Sequence, residues 1–150
     1  GQFLINDKKI SFICGEYITK LQVAFNEYNS KARSILMDKD LIDLNVRINL
    51  LISELKKDET NNFNGFKKLS VDAGNFIEQE KILLVTGKYR FKNYGYSTKL
   101  QKLNPLLNFK VKNLTPYGKI EQSITTQLNL LEEVFSDYIF NYYQFILFST

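Results

Sequence analysis

The feature that most constrains this chain is its C-terminal end, where thirty-odd residues hold one helical pattern without a break. Thr115 is suited to cap a helix, and Pro116 fits the first helical position, where its missing N–H costs nothing. Beyond Gly118 neither Gly nor Pro interrupts the run. Ile124, Leu128, Leu131, Phe135, Tyr138, Tyr142 and Phe145 recur at steps of three and four, the seam of a helix lying against partners. A continuous helix over 117–148 would be about 50 Å long. Past Val134 its apolar surface widens, leaving Asp137, Asn141 and Gln144 as a narrow polar stripe. Such a helix is enclosed on most sides, by its own fold or by a second copy. Phe135, Tyr138, Tyr142 and Phe145 are accordingly the expected interface if the chain self-associates.

The rest of the chain is read around that rod. Ile18, Leu21, Phe25, Tyr28, Ala32 and Ile35 predict a helix over 16–37. Residues 41–57 satisfy two patterns at once. Leu41, Leu44, Ile48, Leu51 and Leu55 step as a helix does, whereas Ile42, Leu44, Val46, Ile48 and Leu50 alternate as in a half-buried strand. Length and the helix-forming tail from Glu54 to Lys57 favour a helix. Asp58 to Gly65 reads as a loop, and Ala73, Phe76, Ile77, Lys81 and Leu84 as a helix over 70–86 with Gly87 beyond its C-cap.

Two regions predict strands. Gln2-Phe3-Leu4-Ile5 and Ile10-Ser11-Phe12-Ile13-Cys14 flank the turn-forming Asn6-Asp7-Lys8-Lys9, a β-hairpin pattern. Tyr89 and Phe91 alternate with Arg90 and Lys92, and Leu107, Phe109 and Val111 with Asn108, Lys110 and Lys112. The expected fold is therefore α+β and mostly helical. It is a single domain over 1–150, with a helical bundle around the long C-terminal helix beside a small antiparallel β-sheet.

Charge is segregated. Residues 1–80 balance at −1, 81–120 carry nine Lys/Arg and no acid, and 121–150 carry four acids and no base, giving the net +4. Forty residues without a carboxylate make a local positive field. Lys88, Arg90, Lys92, Lys110 and Lys112 there interleave with Tyr89, Tyr94 and Tyr96, a mixture that suits phosphates and unpaired bases. The same pattern also describes a solvated sheet face whose rings point inward, or a surface for an acidic protein.

Chemistry is bounded by what is missing. There is no His and one cysteine, Cys14, which removes the commonest general base, Ser-His and Cys-His pairs, and structural zinc. No cofactor is called for. Asp43, followed by Glu54-Leu55-Lys56 after the apolar Leu50-Leu51-Ile52, resembles the metal-binding spacing of restriction-endonuclease-like nucleases. That resemblance implies Mg²⁺ held by Asp43 and Glu54 with Lys56 assisting water, and it requires 41–57 to be strands. On a helix the two carboxylates stand about 16 Å apart along the axis, too far for one metal. No stretch is long and apolar enough to span a membrane, so a cytoplasmic protein is expected. The function expected is a non-enzymatic binding protein that occupies a partner protein's surface, itself included. Nucleic-acid binding through 88–112 is the alternative.

Overall fold

The computed structural model describes residues 2–92 and 116–149, with side chains from 14 to 92 and 118 to 144. Four helices make up the described chain: α1 (Gln2–Ile35), α2 (Asp38–Thr60), α3 (Phe66–Val85) and α4 (Pro116–Ser149). Helices adjacent in sequence pack side by side, and α4 closes the ring with its broadest contact against α1. Arg47 pairs with Glu80, Lys81 with Glu132, and Phe66 stacks on Tyr142, so residue numbers run in opposite directions across each α2–α3 and α3–α4 contact. Thr19 meets Glu59 across α1 and α2 in the same sense. The result is an up-down-up-down four-helix bundle.

The α+β expectation is overturned, because the described residues contain no strand or sheet. The N-terminal segment taken for a hairpin is instead the start of α1. Its own spacing supplies the reason: Ile10 stands four residues before Cys14, and Cys14 four before Ile18, so the apolar step of the helix runs back through the sequence of this segment. Propagating an existing helix adds a hydrogen bond per residue without a new nucleus, and this outweighs the turn preference of Asn6 and Asp7. The strand over 89–92 reduces to one antiparallel bridge between Leu36 and Phe91. Around it Met37 N–H donates to the Arg90 carbonyl (2.9 Å) and Lys92 N–H to that of Ile35 (2.8 Å). The second strand, 107–112, lies outside the described residues.

Connections follow local chemistry. Met37 is extended (ψ 150°), and Asp38 and Asp40 in the first turn of α2 suit the positive helix end. Asp40 also accepts the Arg90 N–H at 2.8 Å, tying the segment after α3 to the bundle. The turn from α2 to α3 places Asn62 and Phe63 in the left-handed region (φ 56° and 62°). Phe63 is held there by burial of its ring and by its N–H bond to the Asp58 carbonyl (3.0 Å). Gly65 donates to the Asp58 carboxylate at 2.6 Å, and a Cβ added to Gly65 would lie 2.9 Å from that oxygen. α3 begins at Phe66, four residues before the expected start at 70. It ends as expected, with Gly87 at φ 67° and its N–H on the Leu84 carbonyl.

The core runs the length of the bundle. Ile18, Leu21, Phe25 and Tyr28 of α1 meet Leu44 and Ile48 of α2, Phe76 and Ile77 of α3, and Ile124, Leu128 and Leu131 of α4. Phe76 is the central ring, edge-on to Phe25 (5.5 Å) and Tyr28 (6.3 Å). No described helix is long and apolar enough to cross a membrane.

Candidate functional site

α2 carries two apolar ridges, and they meet different surroundings. Leu44, Ile48, Ile52 and Leu55 are buried in the core. Ile42, Val46 and Leu50, spaced by four, form a straight row that is 66%, 55% and 61% exposed. The strict alternation over 42–50 is therefore two helical ridges interleaved, not a strand. One ridge is consumed by folding and the other is left in water.

Beside the outer ridge, α2 and α3 enclose a groove of about 280 Å³. Leu50, Leu51 and Phe76 supply its apolar lining, with Arg47, Glu54 and Asp72 as its charged groups. Beneath the groove sits a buried polar cluster. Glu80 is fully buried, and Tyr28 donates to its carboxylate at 2.8 Å. The Tyr89 hydroxyl lies 2.7 and 2.6 Å from the two oxygens, and Arg47 Nη2 donates at 3.1 Å. Arg47 also donates through Nε to Asp43 (2.9 Å) and lies over the Phe76 ring (5.3 Å). The cluster thus ties together α1, α2, α3 and the segment after α3.

Its two phenols and its guanidinium are held protonated. Burial raises the Tyr28 hydroxyl well above the ordinary phenol value, and the Glu80 charge raises it further. Tyr89 shifts upward for the same two reasons in the same order. For Arg47 burial opposes the charge, but the Glu80 carboxylate and the Tyr89 hydroxyl together more than offset it and hold the guanidinium protonated. Neither phenol has an accessible proton equilibrium near neutral pH. The cluster is a structural anchor joining α1, α2 and α3.

The sequence-predicted residues are distributed unevenly. Lys88 and Arg90 are exposed, while Lys92 donates from Nζ to the Arg33 carbonyl at 2.7 Å. Tyr89, expected as a stacking platform, is buried on Glu80. Tyr94, Tyr96, Lys110 and Lys112 lie outside the described residues. On α4, Tyr138 is buried against Phe66 (5.1 Å), and Tyr142 stacks on the same ring at 3.6 Å and 8°. Phe135 is half-buried with its ring 3.4 Å from the Cβ position of Gly74. The Phe145 side chain lies outside the described residues. Phe140 of α4 faces water instead.

Asp43 and Glu54 both stand on α2, eleven residues apart, which corresponds to about 16 Å of axial rise. Asp43 is paired with Arg47, and Glu54 with Lys57 at 3.7 Å. Among the described residues no three His, Cys, Asp or Glu side chains are grouped so as to hold a metal ion. The strand geometry that the nuclease resemblance requires is absent.

Sequence reasoning passed over Glu80 and Arg47. A signal for Glu80 exists: it follows Ala73 and Phe76/Ile77 at the core spacing, where Lys81 had been placed instead. A carboxylate in an apolar seam calls for a buried partner. Comparison with protein-family models, curated proteins and solved structures finds no match to this chain.

Proposed function

We propose that this chain is a non-enzymatic binding protein that acts by occupying a partner protein's surface, and that it docks through the outer ridge of α2. The observation that carries this reading is the exposed row Ile42, Val46 and Leu50 beside an apolar groove. Scattered apolar residues on a surface need no explanation, but a straight helical row of three is the pattern of helix docking. Burying the exposed part of these three side chains is worth on the order of 3–5 kcal/mol in all. Docking also loses translational and rotational freedom, so the ridge alone supports only weak binding and the groove must contribute. Self-association through Phe135, Tyr138 and Tyr142 would compete with their packing on Phe66 and near Gly74, which is why the surface assigned is on α2.

Backbone chemical-shift mapping with an uncharged amphipathic helical peptide tests the reading. Saturable shifts along 42–54, lost in Val46→Lys, are expected. Absence of shifts at millimolar peptide would contradict it. A nucleic-acid partner bound through the basic run would show a steep salt dependence and no response to Val46→Lys.

A further inference from the structure

The charges around the α2–α3 groove say what kind of partner segment fits it. Arg47, the groove's cation, is already engaged by Glu80 and Asp43. Its field is spent inside the protein. The remaining groove charges are two carboxylates on opposite walls, Glu54 from α2 and Asp72 from α3. Glu54 has only the long, exposed pair with Lys57, and no ion pair engages Asp72 among the described residues. Apolar lining between two carboxylate walls therefore forms a trough of negative potential with a hydrophobic bottom.

We infer that the groove and outer ridge take a basic amphipathic helix of a partner protein. This rests on the docking role of α2 and adds the sign of the partner's charge. Leucine-type anchors at i, i+4 and i+7 of the incoming helix pack on Leu50 and Leu51, with the buried Phe76 ring forming the floor beneath them, the helix-in-groove mode. Its Lys or Arg side chains flank those anchors and meet Glu54 on one wall and Asp72 on the other. The charges select the partner and speed its approach, while the apolar contacts hold it.

Three labelled 14-residue helical peptides sharing one Leu face, with Lys, Gln or Glu on the polar face, test this by fluorescence anisotropy. The Lys peptide is expected to bind at least tenfold tighter than the Gln peptide and to lose most of that advantage between 50 and 500 mM salt. The double variant Glu54→Lys, Asp72→Lys should reverse the order in favour of the Glu peptide, with circular dichroism confirming the fold. Val46→Lys should weaken all three. Equal binding of the Lys and Gln peptides would overturn the charge inference while leaving the docking surface intact. No binding by any peptide would overturn both. Sedimentation showing a dimer that Val46→Lys dissociates would identify a second copy as the occupant and also overturn the inference.

Discussion

The two ridges of α2 have the same chemistry and the same spacing, yet opposite fates. Leu44, Ile48 and Ile52 are buried in the core where α2 packs on α1 and α3, whereas Ile42, Val46 and Leu50, on the same turns, face water. Apolar content and periodicity therefore do not by themselves identify the face that folds the protein. What separates the ridges is their flank. Arg47 stands between them, with its guanidinium drawn to buried Glu80 and its Nε on exposed Asp43. It marks the edge at which the core stops.

The largest expected effect comes from removing that edge. Arg47→Met leaves the Glu80 carboxylate buried without its cation, a loss of about 3–5 kcal/mol in urea unfolding. Adding Glu80→Gln should recover part of the loss, because the penalty belongs to the unpaired charge. An unchanged midpoint in the single variant would mean that the cluster does not anchor the bundle.

Next comes the inner ridge itself. Leu44→Ala removes a fully buried side chain and should destabilise by about 2–4 kcal/mol, against less than about 0.5 for Ile42→Gln on the outer ridge. Similar values for the two would erase the distinction between them.

A third effect lies at the C-terminal end of the same helix. Asp58 is buried like Glu80, but among the described residues its carboxylate receives one hydrogen bond, from the Gly65 N–H, and its second oxygen has no partner. Burial raises its carboxyl above the ordinary range, with the Gly65 bond working the other way. A raised folded-state value means that stability is fully present below the ordinary Asp value and is lost as pH rises through the folded one. Asp58→Asn keeps the acceptor for Gly65 and removes the charge. It should stabilise the protein by up to about 1 kcal/mol at pH 7, with the gain vanishing near pH 3. A gain that grows toward acid pH would reverse the assignment.

These contrasts also show what the sequence could reveal. The seams of α1 from residue 16 onward, α3 and α4 are legible because their core positions keep the helical step and their other apolar residues set up no strand-like alternation. In α2 a second ridge superimposed a strand-like alternation on the helical one, and only length separated the readings. The N-terminal hairpin failed for a related reason: the turn chemistry of Asn6 to Lys9 is local, while the helix it yields to is propagated from Cys14 and Ile18. The site was less legible than the fold. Arg47 and Glu80 are neighbours only because α2 and α3 run antiparallel, a relation no linear motif records. Tyr89 was singled out as an aromatic in a basic run, yet its place is set by a carboxylate nine residues earlier.

The most direct test of the central claim is one variant measured twice. Val46→Lys should unfold at the same urea concentration as the parent, within about 0.5 kcal/mol, and should fail to bind the Leu/Lys helical peptide. A fall of several kcal/mol would show that the outer ridge is part of the folding core. Retained binding would show that the partner docks elsewhere.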